Sequence, residues 1–119
     1  MGRKTVVYYP DARGQMPVLD FLRTLDRDER QKASAYLSHL EEQGEGLRRP
    51  IAEYLGEKLY ELRPKQIRIL YAFVGTEYAV ILHAFRKKTG PVPGRDKHLA
   101  QTRLAEFMRR YARGEFSRR

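Results

Sequence analysis

The chain has 119 residues, no cysteine, and 24 Lys and Arg against 15 Asp and Glu, a formal net charge of +9. That length suggests one domain with one core, and the lack of cysteine excludes a disulfide framework and a thiolate metal site. The positive excess points to a polyanionic partner, nucleic acid or an acidic protein surface.

Lys4–Tyr9, a β-branched and aromatic run ended by Pro10, reads as a strand. Pro17 opens a short helix whose apolar face is Val18, Phe21, Leu22 and Leu25. Asp26 and Glu29 have the spacing of a capping box and begin a second helix, with Ala33, Tyr36, Leu37 and Leu40 inward and Gly44 at its end. The stretch 45–56 reads as a loop. Three strands follow, Glu57–Arg63, Ile67–Val74 and Tyr78–Lys87, joined by links short enough for antiparallel hairpins. Pro91 and Pro93 break the chain. A last helix runs from Arg95 to Tyr111, with Ala100, Leu104, Phe107, Met108 and Tyr111 on one face. Residues 113–119 read as a flexible tail. The order is βααβββα. This predicts an α+β fold, one small antiparallel-rich sheet with helices on one face and the other face left for function.

Strand side chains alternate between faces. Ile67, Ile69, Tyr71 and Phe73 form an apolar set, and Arg68 falls opposite them. Arg63 is expected beside Arg68 on the open face, near the turn between their strands. Arg86, Lys87 and Lys88 leave the next strand, so four or five cations are expected to converge there, in outline a phosphate-binding groove. On an open face Arg68 would contribute little to the core, and its loss would cost under about 1 kcal/mol. Residues 63–119 hold fourteen of the bases and only four of the acids, which puts the basic surface in this half.

Absent motifs narrow the chemistry. There is no phosphate-binding GxxxxGK[ST] loop, no HExxH and no sequence cluster of His with Asp, so no metal site is expected. His39 and His98 lie on predicted helices. His83 reads either as a half-buried strand residue or as an acid or base reaching the groove. Glu61 is a candidate base by position, or an ion-pair partner of Arg63 or Arg68. The stretch "MGRKTVVYY" lacks an apolar run with a cleavage site, so no signal peptide is expected there. The chain's longest apolar stretch, Ile67–Phe85, is interrupted by Arg68, Gly75 and Glu77, which predicts strands in a cytoplasmic protein rather than a membrane span.

The ordered series "LYELR", "IRILYAF", "ILHAFRKKTGPVP" and "RDKHLAQTR" resembles the RelE/HigB superfamily of toxins from type II toxin–antitoxin systems, and within it the phage-derived Gp49-like branch. The resemblance spans Thr5 to Tyr111, which implies that residues 1–119 form a single toxin domain. It implies a metal-independent endoribonuclease without cofactors that cleaves mRNA, often on the ribosome, by attack of the substrate's 2′-OH on the adjacent phosphate. It implies a cognate antitoxin, commonly a helix-turn-helix protein of HigA type. Carried over by position, Arg68, Arg86, Lys87 and Lys88 would take part in catalysis, and Arg63, Lys65, Arg68 and Lys88 would bind phosphate. Two alternatives keep the fold and change the activity. One is a toxin that inhibits a protein such as DNA gyrase, and the other is a nucleic-acid-binding domain without catalysis.

Overall fold

The structure is a computed structural model that describes residues 2–116. Its elements are β1 (Thr5–Tyr8), α1 (Pro17–Arg23), α2 (Arg27–Gln43), a 3-10 turn (Gly44–Gly46), β2 (Ala52–Gly56), β3 (Leu59–Leu62), β4 (Ile67–Val74), β5 (Tyr78–Arg86) and α3 (Gly94–Ala112). The strands form one sheet in the order β1-β5-β4-β3-β2, antiparallel except for β1 on β5. The α+β class is as expected.

The helix signals act as the sequence suggests. Asp26 Oδ1 accepts from Glu29 N at 2.8 Å, and Glu29 Oε1 accepts from Asp26 N at 3.3 Å, so the capping box closes. Gly44 ends α2 at φ 52°, where a Cβ would collide with the Gly2 carbonyl.

Two expectations need correction. The first is the stretch 45–56, read as a loop, which contains strand β2. It pairs with β3 through a two-residue turn at Glu57 and Lys58, both at positive φ (53° and 72°). That is the turn geometry of a tight hairpin, but without the Asn or Gly that normally marks it.

The second is the single helical layer. Both faces carry helices. Val18, Leu22, Ala33, Leu37 and Leu40 of α1 and α2 pack on Leu62, Ile67, Ile69, Tyr71, Ala79 and Ile81. On the other face, Ala100, Leu104 and Phe107 of α3 pack on Leu59, Leu70, Ala72, Val74, Val80 and Leu82. β4 is therefore buried on both sides, and reads as a continuous apolar run for that reason. Each fully buried Leu or Ile in these layers is worth about 1.5–3 kcal/mol.

The chain beyond α3 turns back toward the body. Phe116 stacks on Phe107 at 4.3 Å between centroids, and its carbonyl accepts from Tyr78 Oη. The rest of the expected flexible tail, 117–119, lies outside the described residues. No helix among the described residues is long and apolar enough to cross a membrane.

Candidate active site

α3 covers the β4–β5 half of its face and leaves much of the β2–β3 half open. Directly opposed residues share a face. In register across four strands, Glu53 opposes Glu61, Glu61 opposes Leu70, and Leu70 opposes His83. All four therefore lie in one row on the α3 side. A groove of about 360 Å³ opens over the β2–β3 end of this row, between Glu53, Leu55, Glu61 and Arg63 on one wall and Gly90–Val92 and Lys97 on the other.

Glu61 is only 4% exposed. Its carboxylate lies 4.0 Å from Arg63 Nε and 3.6 Å from Arg68 Nε. Burial pushes its pKa above the usual carboxylate value, and the two guanidinium groups oppose that rise. Glu53 continues the chain of charges, pairing with Arg49 at 2.8 Å and Arg63 at 3.4 Å. Glu61 thus combines a raised proton affinity with two flanking cations, a suitable setting for a general base beside a bound phosphate.

Arg68 does not project from an open face. It is 3% exposed, and its guanidinium donates to the Lys65, Ile67 and Lys88 carbonyls, each at 3.0 Å. Its Nε is buried without a hydrogen-bond partner and faces Glu61. Burial lowers its pKa, as does Arg63, while Glu61 raises it. The expected small cost of losing Arg68 is overturned, because this side chain joins the 63–66 turn to the exit of β5. Lys87 N donating to the Gln66 carbonyl at 2.8 Å adds to the same junction. Lys65 sits at φ 57° at the tip of that turn, held through its carbonyl by Arg68.

The expected convergence of every cation on one face also fails, and a β-bulge is the reason. Leu70 pairs with His83 and Tyr71 with Ile81, so Leu82 is an extra residue in β5. Strict alternation from Tyr78 would have put Arg86 on the face of Arg68. The bulge reverses the alternation, turns Arg86 to the α2 side, and puts His83 on the α3 side. Arg86 there makes two bonds to Glu29, at 2.5 and 3.0 Å, across the start of α2. This bonding raises the pKa of Arg86 and lowers that of Glu29. Lys65 and Lys88 remain exposed and Lys87 half-buried at the end of the sheet, and among the described residues none of the three forms an ion pair.

His83 is stacked on Phe85 at 5.2 Å, and its Nε2 lies 2.7 Å from Oδ1 of Asp96 in the first turn of α3. A His–Asp pair therefore exists, although the sequence shows no such cluster. The partners are thirteen residues apart, and only the bulge and the packing of α3 bring them together. Asp96 is a candidate site residue that the sequence reading missed. Its carboxylate fixes the orientation of the imidazole through this contact.

Another cavity, about 390 Å³ between β1, α1 and α2, is largely apolar and holds no comparable cluster. No curated protein matches the chain. The profile of the phage-derived Gp49-like protein family (DUF891) matches residues 20–105, most of the sheet and all the groove residues named above. With that match covering well over half of its length, the chain belongs to the phage-derived Gp49-like family, a RelE/HigB-like toxin family.

Proposed function

We propose that this chain is the toxin of a type II toxin–antitoxin system and acts as a metal-independent endoribonuclease on mRNA, on the ribosome, with Glu61 and His83 as its acid–base pair. The observation that carries the reading is the row Glu61–Leu70–His83, in register on one face. Its two titratable ends are two strands apart, roughly 10 Å by ordinary strand spacing. The scissile phosphate sits in the groove beside Glu61 and Arg63, on the same sheet face as His83.

In this mechanism Glu61 takes the proton of the 2′-OH, whose oxygen attacks the adjacent phosphorus. His83, oriented by Asp96, gives a proton to the departing 5′-oxygen. The products are a 2′,3′-cyclic phosphate and a 5′-OH. Arg63, partly exposed beside Glu61, neutralises the charge that builds on the phosphorane oxygens. Arg68 supports the site from below, with its charge against Glu61 and its donors on the backbone. Lys65, Lys87 and Lys88 hold the RNA backbone at the sheet end. Arg86, satisfied by Glu29, serves the fold. Positioning of mRNA by the ribosome reduces the entropic cost of reaction. The antitoxin partner and the cytoplasmic setting belong to the same reading.

Purified wild type and Glu61→Gln, incubated with RNA alone and with translating ribosomes, test it. Wild type is expected to leave 2′,3′-cyclic phosphate and 5′-OH ends, and Glu61→Gln to cleave about 10²–10⁴-fold more slowly, the worth of one general base. Equal cleavage by both would remove Glu61 from the chemistry. No cleavage by wild type in either setting would favour a protein target or binding alone.

A further inference from the structure

The proposed site uses the groove on the α3 side of Arg63. On the other side of the same arginine lies a second cavity of about 620 Å³, lined by Tyr36, Arg49, Pro50, Ala52, Glu53, Arg63, Lys65 and Arg68. It has the larger volume and the more cationic wall. Four of its residues are cations and one is an acid, and that acid, Glu53, is already shared between Arg49 and Arg63. Arg49 and Lys65 are exposed, while Tyr36 and Pro50 supply an apolar side. The Lys32 ammonium lies 5.4 Å from the centre of the Tyr36 ring.

Arg63 and Glu53 line both cavities. The two cavities therefore adjoin across these two side chains. Arg68 lines this second cavity as well, buried and with its Nε unpartnered. A volume of this size suits one nucleotide with its phosphate.

We infer that this cavity is a second nucleotide subsite of the same RNA-binding surface, in which Arg49 and Lys65 take the phosphate next to the scissile one and Tyr36 and Pro50 bound its ribose or base. The inference rests on the proposed RNA substrate and extends it: the footprint continues around the end of the sheet to the α2 side. Charge without base-edge donors in fixed geometry makes the subsite tolerant of sequence.

Fluorescence anisotropy tests the inference, with a short labelled 2′-O-methyl oligoribonucleotide that cannot be cleaved, titrated over a series of salt concentrations. The full chain is compared with Arg49→Gln/Lys65→Gln, and with Arg13→Gln/Arg27→Gln as a control of equal charge removal at exposed residues outside both cavities. The subsite predicts that the first pair weakens binding about tenfold or more and flattens the salt slope by about 0.7 for each phosphate no longer neutralised, while the control changes little. Equal weakening by both pairs would reduce the effect to net charge and overturn the subsite. Wild-type affinity in Arg49→Gln/Lys65→Gln would also overturn it and leave the catalytic groove standing. Failure of the wild type itself to bind the RNA would overturn the subsite, while cleavage on translating ribosomes decides the RNA reading separately. Circular dichroism of each variant confirms that only folded proteins are being compared.

Discussion

The two halves of the sheet face beneath α3 are made of the same alternating strands and end in opposite chemistry. Under the helix the row positions are Leu70, Ala72, Val80 and Leu82, all fully buried. Toward the Arg63 end of β2 and β3 they are Glu53, Leu55 and Glu61, with Arg63 at the edge. A strand position covered by a helix must be apolar to offset its desolvation, whereas one at the margin can hold a charge if a partner is near. Glu61 and Arg68 sit on that boundary, buried as though under the helix and charged as though beyond it.

The comparison breaks most visibly at Arg68. Arg68→Ala would leave Glu61 buried without its closest cation and would free three carbonyls, so a loss of about 3–5 kcal/mol is expected in urea denaturation. Arg63→Ala, on the half-exposed side of the same carboxylate, should cost only about 0–1 kcal/mol yet greatly reduce RNA cleavage. If the two variants were equally stable, the boundary would be drawn in the wrong place.

His83 sharpens the same contrast. His83→Ala should slow cleavage by about 10²-fold or more and Asp96→Asn by less, with RNA affinity retained in both. Unaltered turnover in both variants would make the pair a mere tie between β5 and α3. The pH profile of cleavage provides a smaller effect. Glu61 acts as a base only when ionised, and its pKa lies above the ordinary value of 4.5, so the acidic limb of kcat should fall above that value. A limb at or below it would point to another base.

The smallest expected change is at Arg86. Its partner Glu29 has a lowered pKa, chiefly through the hydrogen bonds from Arg86. The pair thus stabilises the fold above the ordinary carboxyl value of 4.5, and that contribution is lost as pH falls through the lowered one. Arg86→Ala should lower Tm slightly at neutral pH, and the difference should close in acid. Cleavage by this variant is expected to stay near wild type, and its loss would return Arg86 to the site.

Much of this was legible in the sequence because the signals were local. The capping box at Asp26 and Glu29, the stop at Gly44 and the strand β4 itself each depend on neighbouring residues, whereas the second helical layer over β4 does not. β2 was not legible because its hairpin places Glu57 and Lys58 where the common turn residues would stand. The bulge at Leu82 was not legible because "VILHAF" carries no Gly or Pro to announce it. That one extra residue decided which way Arg86 and His83 point, and so which candidates share a face. Asp96 could be found only once α3 had been placed over the sheet. Arg68 was correctly placed on its face, but its burial follows from the Lys65 and Lys88 carbonyls closing around it, a tertiary event with no sequence mark.

The most direct measurement is primer extension on abundant mRNAs after induced expression in cells, comparing wild type with Glu61→Gln. The account predicts new 5′-OH ends inside translated regions with wild type and their loss with Glu61→Gln. Growth arrest without new ends, or the same ends from both proteins, would contradict it.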